Sequence, residues 1–407
     1  MIKTQSNQKN IPILRFPEFS EKWNLVKGRD LFSNRRIHGR AGLPIYSVTI
    51  DKGLVPRRSL ASKRIENDAK VEDNIVAFPS DIVYNMMRMW QGALGIAEMK
   101  CMVSPAYIVL NPKEHVNSTF YKLLLKSSKY IYKLEAYSYG LTSDRLRLYY
   151  KDFGMINFPL PERDEQQKIA DFLTAVDEKI TALQKKVDLF NQYKKGIMQQ
   201  IFTQQIRFKD EDGNQYSDWE EKNLYNIFSR IKEKNKENNK NVLTISGQLG
   251  LVDQESYFNK SVAAKDLSGY YILSKDDFAY NKSYSKGYPM GAIKKLNRYD
   301  KGIVSTLYIC FRTKEDNSAK FFEQYFNSGL QNREIEKIAQ EGARNHGLLN
   351  ISVKDFFEQI FIYVPSHKEQ QKIADFLSTI DDIISFEGKK LERTKRFKKS
   401  LIQHMFV

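Results

Sequence analysis

The sequence predicts an α+β protein in which two similar mixed α/β globular domains are joined by two long helices that pair as an antiparallel coiled coil. Three observations support this: nine residues occur twice unchanged, a weaker similarity extends over both halves, and each copy of the nine residues begins a heptad pattern. The segment 165–173, Glu-Gln-Gln-Lys-Ile-Ala-Asp-Phe-Leu, returns as 369–377. A repeat with a domain-sized period indicates two copies of one design.

The weaker similarity places matching motifs in the same order in both halves. Residues 81–85 match 277–281, and the Lys-Asp-Phe of 151–153 returns at 354–356. The distance between matching positions varies along the chain, so loop lengths differ between the halves. Each half is therefore predicted to be a globular domain followed by a distinct segment.

Local patterns predict both strands and helices inside the globular domains. The runs 106–110 and 303–311 are rich in β-branched and aromatic residues, which is typical of strands. The runs 120–131 and 321–338 have the pattern expected of helices. Stretches rich in glycine and asparagine between such runs indicate turns.

The distinct segments are heptad helices. Apolar residues from Ile169 to Phe190 recur at alternating steps of four and three, and a second seam begins at Ile373. Both seams carry a lysine at the same repeat position, Lys194 and Lys398, and a polar seam residue commonly fixes register at a cost in stability. Each helix would contain about 40 residues and reach roughly 60 Å at about 1.5 Å per residue.

These patterns divide the chain into four segments: domain 1 (1–160), helix 1 (161–205), domain 2 (206–364) and helix 2 (365–407). If the helices pair antiparallel, their N-terminal ends lie at opposite ends of a rod. The two domains would then be held apart by a spacer of roughly 60 Å or less. Such a molecule suits two separated patches on one DNA duplex.

Composition indicates the class of partner and the compartment. The formal net charge is +16, which suggests a polyanion such as nucleic acid, although a basic chain can equally be basic for solubility. Only two cysteines are present, which fits a reducing cytoplasm. The first ten residues are polar, and no run of about 18 apolar residues predicts a membrane span.

Several of these motifs together resemble the specificity subunit of type I restriction-modification enzymes. One is the proline before Glu-Gln-Gln-Lys-Ile-Ala-Asp-Phe-Leu, followed by a heptad helix. Another is 84–97, Tyr-Asn-Met-Met-Arg-Met-Trp-Gln-Gly-Ala-Leu-Gly-Ile-Ala, with Val-Ser-Pro-Ala-Tyr just after it at 103–107. The resemblance covers nearly the whole chain, in the right order, twice.

The resemblance implies a division of labour within a complex. Each domain would be a target-recognition domain for one half of a bipartite, asymmetric sequence in double-stranded DNA, and the helices would measure the unread spacer. The helices would also dock two methylation subunits, which carry S-adenosylmethionine and methylate adenine. Restriction subunits would add ATP-driven translocation and cleavage with Mg²⁺, so this chain itself would need no cofactor and no metal.

Two other classes of protein compete with a non-catalytic recognition subunit. A fused nuclease or methyltransferase would need a metal-binding carboxylate set or a cofactor loop, and the sequence has neither an Asn/Asp-Pro-Pro-Tyr/Phe motif nor a glycine-rich phosphate loop. A coiled-coil scaffold, or another tandem DNA-binding protein outside restriction-modification, predicts no bipartite methylation.

Candidate DNA contacts fall where the two halves diverge between matching flanks. In domain 1, Arg88 is suited to guanine, Gln91 to adenine, and Trp90 to stacking, although a lone tryptophan is more often a core residue. Tyr139 and Arg145 lie in a polar, glycine-hinged loop. The corresponding regions of domain 2, together with two serines that follow short β runs, supply the remaining candidates: Ser47, Ser246, Tyr284, Lys286, Arg344 and Asn345. In each case the alternative is an ordinary solvated loop or strand end.

The first turn of each long helix is a candidate docking site. Acidic residues there interact favourably with the positive helix end, which is a sufficient structural reason for a glutamate. Nine unchanged residues exceed what starting a helix requires, and identical segments suit two identical partners. The candidates are Glu165, Gln166, Gln167, Glu369, Gln370 and Gln371.

A helical spacer predicts a measurable change in target geometry. Adding one heptad to both helices lengthens a rod by roughly 10 Å, which is about three base pairs at roughly 3.4 Å each. We expect the unread spacer of the DNA target to grow by that amount when the methylated motif is sequenced. An unchanged spacer would rule out a measuring role for the helices.

Overall fold

The computed structural model describes residues 10–60, 69–142, 145–260, 263–285, 287–339 and 349–407. The chain forms two compact units. Unit 1 comprises Met1–Gln184 and Gly388–Val407, and unit 2 comprises Lys185–Glu387. Each unit therefore contains one globular domain and a segment of each long helix. The units thus differ from the four consecutive segments predicted from the sequence, because each long helix is divided between the two units.

The described residues of unit 1 form ten strands and four short helices before the first long helix. The strands are β1 (Asn24–Lys27), β2 (Phe32–Arg35), β3 (Ile45–Thr49), β4 (Gly53–Pro56), β5 (Ile75–Ala77), β6 (Ile82–Asn85), β7 (Leu94–Ile96), β8 (Cys101–Val103), β9 (Tyr107–Pro112) and β10 (Asn157–Leu160). The helices are α1 (Gly28–Leu31), α2 (Ser118–Leu125), α3 (Ser128–Ala136) and α4 (Tyr150–Phe153), with 3-10 turns at Arg57–Ser59, Val71–Asp73 and Met89–Gln91.

The strands of unit 1 form two four-stranded sheets and one two-stranded sheet. Their orders are β2-β9-β6-β7, β4-β3-β8-β5 and β1-β10. Every pairing is antiparallel except β3 with β8, where Ile45 lies opposite Met102 and Tyr46 opposite Val103.

Unit 2 repeats much of this plan. Its strands are β11 (Glu220–Asn223), β12 (Phe228–Arg230), β13 (Leu243–Ser246), β14 (Gly250–Asp253), β15 (Tyr271–Ser274), β16 (Phe278–Asn281), β17 (Ala292–Lys295), β18 (Lys301–Val304), β19 (Ile309–Thr313) and β20 (Phe361–Val364). The sheet β12-β19-β16-β17 matches β2-β9-β6-β7, and β11-β20 matches β1-β10. A single parallel bridge between Val242 and Ile303 stands where β3 pairs with β8 in unit 1.

Some predicted elements are divided in the structure. The predicted helix 120–131 is two helices, because the side chain of Ser127 accepts from the backbone N–H of Tyr130 and begins α3. The predicted helix 321–338, which follows α6 (Leu224–Ile227) and α7 (Gln254–Phe258) in the chain, is also divided into two helices. There α8 (Ala319–Ser328) ends at Gly329, which has a φ of +78°, before α9 (Asn332–Ile338). The predicted strand 303–311 is likewise split between β18 and β19.

The two long helices lie within the predicted segments. After α4 and β10, helix α5 spans Arg163–Phe202; after α10 (Val353–Glu358) and β20, helix α11 spans His367–Met405. Within unit 1, the ammonium of Lys398 contacts the Asp177 carboxylate at 2.5 and 2.6 Å. Within unit 2, Lys194 contacts Asp381 at 2.6 and 2.7 Å. Both seam lysines therefore pair with an aspartate on the opposite, antiparallel helix.

A buried glutamate joins the start of each long helix to its domain. In unit 1, the Glu165 carboxylate is 1% exposed and accepts from Arg15 Nε at 2.7 Å, Arg15 Nη2 at 2.8 Å and Trp23 Nε1 at 2.8 Å. The hydrogen bond to Glu165 raises the pKa of Arg15 above its ordinary value, so the guanidinium is charged. A buried carboxylate is tolerated only when it is paired and hydrogen-bonded in this way.

Unit 2 contains the same arrangement. Glu369 accepts from Arg207 Nη2 at 2.9 Å and from Trp219 Nε1 at 3.1 Å, and its side chain is fully buried. The same three side chains, a glutamate, an arginine and a tryptophan, are therefore bonded together in both units. The partner arginine and tryptophan belong to segments where the halves match only weakly.

The neighbouring glutamine attaches a second helix. Gln166 accepts from the backbone N–H of Asn117, the N-cap residue of α2, at 2.8 Å, and donates to the Pro161 carbonyl at 2.9 Å. Gln370 accepts from the backbone N–H of Ser318, the N-cap residue of α8, also at 2.8 Å. Each glutamine therefore satisfies a buried backbone group at the start of a core helix.

Each core is an aromatic cluster packed on helix ends. In unit 1 the ring of Phe120 lies 5.3 Å from that of Phe406, just beyond α11. In unit 2 Phe321 lies 5.7 Å from Phe202, the last residue of α5. Both contacts are edge-to-face, a favourable aromatic geometry.

One buried carboxyl is held differently in the two units. Asp81 accepts from Arg35 on β2 at 2.7 Å, whereas the matching Asp277 accepts from Arg312 on β19 at 3.1 Å. Burial raises the pKa of both carboxyls, although the arginines act in the opposite direction. The guanidinium of Arg35 is therefore held by a carboxyl of its own unit.

The buried glutamate predicts a large stability difference between neighbouring residues. Removing one member of a buried ion pair costs about 3–5 kcal/mol, so we expect Glu165→Ala to lower the free energy of unfolding by that amount. The control is Glu162→Ala, an exposed residue just before the same helix. Urea unfolding of both full-length variants gives the comparison, and equal midpoints would contradict the assigned role of Glu165.

Candidate nucleic-acid interface

The turn after β6 presents three of the predicted DNA-contacting side chains. It contains the 3-10 turn Met89–Gln91, whose fully buried Met89 attaches the turn to the core. The exposed Arg88 guanidinium donates to the Gln91 side-chain oxygen at 3.4 Å. The indole N–H of Trp90 donates to a backbone carbonyl of the same turn at 3.0 Å, and its ring is half-buried. Trp90 is therefore a surface residue rather than a core residue.

A second loop contributes aromatic and basic groups. The backbone N–H of Tyr139 donates to the Arg147 carbonyl at 3.1 Å, and Arg147 donates back at 2.9 Å. Glycine is required at the bend, because a Cβ on Gly140 would lie 2.3 Å from the Arg145 carbonyl oxygen. Both arginines are exposed, and so is Leu141 near the tip.

The two loops line one groove with a volume of about 810 Å³. The structure thus brings together Arg88, Trp90, Gln91, Tyr139 and Arg145, which sequence reasoning had predicted as contacts from two separate loops. An arginine and a glutamine can each make two hydrogen bonds to a base edge, and an aromatic ring can stack on or wedge between bases.

The groove also contains residues outside the predicted set. These are Met87, Leu141 and Tyr149, whereas Gly140 and Arg147 belong to the glycine-hinged loop predicted from the sequence. One of them could have been predicted from the sequence, because Leu141 is a large apolar residue in an otherwise polar loop. An apolar side chain that is exposed beside basic groups is the type that contacts thymine methyl groups or base steps.

Two predicted serines lie elsewhere. Ser47 belongs to β3, opposite Val55, and does not line the groove. Ser246 is 6% exposed, and its hydroxyl accepts from the backbone N–H of Leu249 at 3.2 Å. The prediction of a DNA contact at Ser246 is therefore corrected: its side chain closes the turn after β13.

In unit 2 the structure describes only part of the predicted set. Tyr284 is 63% exposed in the loop between β16 and β17, where Ser285 and Tyr288 form a β-bridge. Lys286, Arg344 and Asn345 lie outside the described residues. The exposed ring of Tyr284 follows β16 much as the Arg88 turn follows β6 in unit 1.

A lysine-rich cavity in unit 2 was missed by sequence reasoning. Its volume is about 600 Å³, and Lys234, Lys236, Lys240 and Lys265 line it. Lys234 donates to a backbone carbonyl at 2.7 Å and lies over the ring of Tyr271. The sequence feature that could have predicted this cavity is the close spacing of lysines over 232–240. Clustered lysines are suited to contacts with phosphates rather than with bases.

The docking prediction needs correction for four of its six residues. Glu165, Gln166, Glu369 and Gln370 are at most 1% exposed and bond within their own units, so they cannot contact a partner directly. Gln167 and Gln371 are exposed. For these two residues docking stays a prediction.

The remaining candidates for chemistry are buried or dispersed. Burial raises the pKa of the Cys101 thiol to about 11 and that of Cys310 to about 12, so both are neutral at pH 7. Over the described ranges, no group of three or more His, Cys, Asp or Glu side chains could hold a metal ion. None of the described helices is long and apolar enough to cross a bilayer.

The fold and the groove define a protein with two repeated mixed domains on paired helices and a surface suited to DNA. The family model for the type I restriction modification DNA specificity domain matches twice, at residues 20–189 and 216–396. The chain therefore belongs to the family of type I restriction-modification specificity subunits.

Individual relatives agree with this assignment along nearly the whole chain. The type I restriction enzyme MjaVIII specificity subunit of Methanocaldococcus jannaschii is 24% identical over 98% of this chain and 94% of its own length. A solved type I S subunit from M. genitalium shares the fold with a TM-score of 0.55 at 16% identity, covering 98% of this chain and 99% of that one. An HsdS subunit from Thermoanaerobacter tengcongensis has a TM-score of 0.50 at 14% identity, covering 96% and 98%.

The groove predicts a position-specific effect of one arginine. If Arg88 makes two hydrogen bonds to a guanine, Arg88→Ala should cost about 1–3 kcal/mol of binding free energy and relax selectivity at one base pair of a DNA target. Binding to a panel of targets substituted at each position measures this. Arg58→Ala, at an exposed arginine that does not line the groove, is the control. A uniform loss across all sequences would instead make Arg88 a phosphate contact.

Proposed function

We propose that this chain reads a bipartite, asymmetric sequence in double-stranded DNA, with unit 1 binding one half-site and unit 2 the other. The observation that carries this proposal is the groove of unit 1, where Arg88, Gln91 and Trp90 face a second basic and aromatic loop. Base-edge contacts give specificity, while lysines and arginines around them supply the salt-dependent attraction to phosphates. In this proposal the chain itself catalyses no reaction.

The difference between the units supports two distinct half-sites. The strands before each turn match, β6 with β16, yet the turns that follow differ: Arg88-Met-Trp-Gln91 in unit 1 and a loop containing Tyr284 in unit 2. The lysine-rich cavity of unit 2 would hold backbone phosphates. A shared scaffold with divergent loops is the expected design for reading two sequences.

Docking of two methylation subunits is the second part of the proposal. Burial explains why the glutamate, the first glutamine, the isoleucine, the alanine and the leucine of the nine-residue repeat are the same in both units. It does not explain the exposed Asp171 and Asp375, which are also identical. We assign these aspartates, with Gln167 and Gln371, to the face that meets a methylation subunit in each unit. S-adenosylmethionine, ATP and Mg²⁺ would be bound by the methylation and restriction subunits.

Sequencing of modified bases tests the recognition role. DNA from cells that express this chain with its methylation subunits should carry adenine methylation at a single bipartite motif, absent without the chain. Replacing residues 206–362 with the matching domain of another family member should change one half of the motif only. Changes in both halves would contradict the two-unit proposal. The absence of any motif, with the subunits bound, would favour a coiled-coil scaffold instead.

A charge-reversal experiment tests the docking role. Asp171→Lys combined with Asp375→Lys should weaken co-purification of the methylation subunits, because two exposed acidic positions at the proposed contact become basic. Unfolding midpoints should change little. The matched control is Glu178→Lys combined with Asp382→Lys, two exposed positions further along the same helices. Equal co-purification of both double variants would rule out these aspartates as docking residues.

A further inference from the structure

A second cavity, with a volume of about 850 Å³, adjoins the recognition groove of unit 1. Tyr139 and Tyr149 line both spaces, so these two side chains separate the cavity from the groove. Their ring centroids lie 5.5 Å apart, and their planes are inclined by 32°. A flat group that leaves the groove would therefore meet aromatic surface first.

The rest of the cavity has the chemistry of a nucleobase site. Tyr107, only 8% exposed, lines it together with Asn34, Arg36 and Asn74. The side-chain nitrogen of Asn74 donates to the Lys70 carbonyl at 3.1 Å. The ammonium of Lys151 lies 5.7 Å from the centroid of the Tyr139 ring. Aromatic faces with nearby cations are how proteins hold single unstacked bases.

The internal repeat shows that one of these rings is not needed by the scaffold. The shared Lys-Asp-Phe motif aligns Tyr149 with Ser352 of unit 2. Ser352 caps α10 by accepting from the backbone N–H of Asp355 at 3.0 Å, whereas Tyr149 occupies the N-cap of α4 without any side-chain cap. Serine is a favoured capping residue and tyrosine is not. At this position unit 1 therefore has an aromatic side chain that lines the cavity, where unit 2 has a serine that caps a helix.

We propose that this cavity receives a nucleobase that leaves the duplex stack when unit 1 binds its half-site. The inference rests on the proposed function and deepens it, because it assigns DNA distortion to one unit. Tyr139 and Tyr149 stack on the extruded base, and Lys151 and Arg36 lie close enough to meet the flanking phosphates. Base extrusion by an unstacking pocket is physically accessible when stacking on protein rings replaces stacking in the duplex.

The test uses the full chain in complex with its methylation subunits, on duplexes that carry the methylated motif. A fluorescent base analogue, such as 2-aminopurine in place of adenine, is placed at each position of the first half-site in turn on either strand. We expect a several-fold rise in fluorescence at one position outside the methylated adenine. The methylated adenine gives an internal reference, because extrusion into a methylation subunit does not depend on Tyr149.

Two variants identify the cavity as the destination of the base. Tyr149→Phe keeps the ring and should keep the rise. Tyr149→Ser copies the residue of unit 2, restores a helix cap and should therefore fold, yet it should abolish the rise and weaken binding by roughly tenfold to a hundredfold. At protein concentrations that saturate the duplex with each variant, the methylated adenine should still show its own rise in fluorescence.

The outcomes separate this inference from the proposed function. If the bipartite motif is still methylated but no position shows the rise, base extrusion by unit 1 is refuted and sequence recognition stands. If the rise persists in Tyr149→Ser, the base goes elsewhere and the cavity assignment is refuted. If the complex shows no sequence-dependent binding at all, the proposed function fails and the inference fails with it.

Discussion

The interaction on which each unit depends is the buried carboxylate in the first turn of its long helix. Glu165 and Glu369 are removed from water, and a charge in that position is stable only with partners in place. Those partners, Arg15 with Trp23 and Arg207 with Trp219, come from the segment that opens each domain. Burying the glutamate therefore requires the beginning of the domain and the beginning of the helix to meet. The neighbouring glutamine then attaches a core helix, α2 or α8, to the same point.

A second constraint sets the register of the helices. Lysine at a seam position is unfavourable unless its ammonium finds an acceptor, and here each seam lysine contacts both oxygens of one aspartate on the facing helix. Asp177 and Asp381 occupy corresponding positions of the repeat, as Lys194 and Lys398 do. A shift of one heptad would leave these charges without their partners. The pairs therefore contribute specificity of alignment more than stability.

Periodicity made the long helices predictable to within three residues at each end, because a heptad seam is a local signal. The partners of Lys194 and Glu165 were not predictable, since they lie far away in the sequence. Those of Glu165 are also weakly matched between the halves. Ser127 shows another limit: one hydroxyl that caps α3 divides a single predicted helix into two. In the candidate site, residue chemistry identified Arg88 and Tyr139, but only folding shows that their loops share one groove.

Local structure accounts for the side chain of Ser246 but not for that of Tyr149. Ser246 has the chemistry of a base contact, yet the backbone turn after β13 uses its hydroxyl. Tyr149 stands where the scaffold of unit 2 uses a capping serine, so its ring is unexplained by local structure. A residue whose side chain stabilises the local fold is a weak candidate for recognition. A residue whose side chain has no such structural role is a strong candidate. In a repeated protein, the second copy supplies that comparison for every position the structure describes in both units.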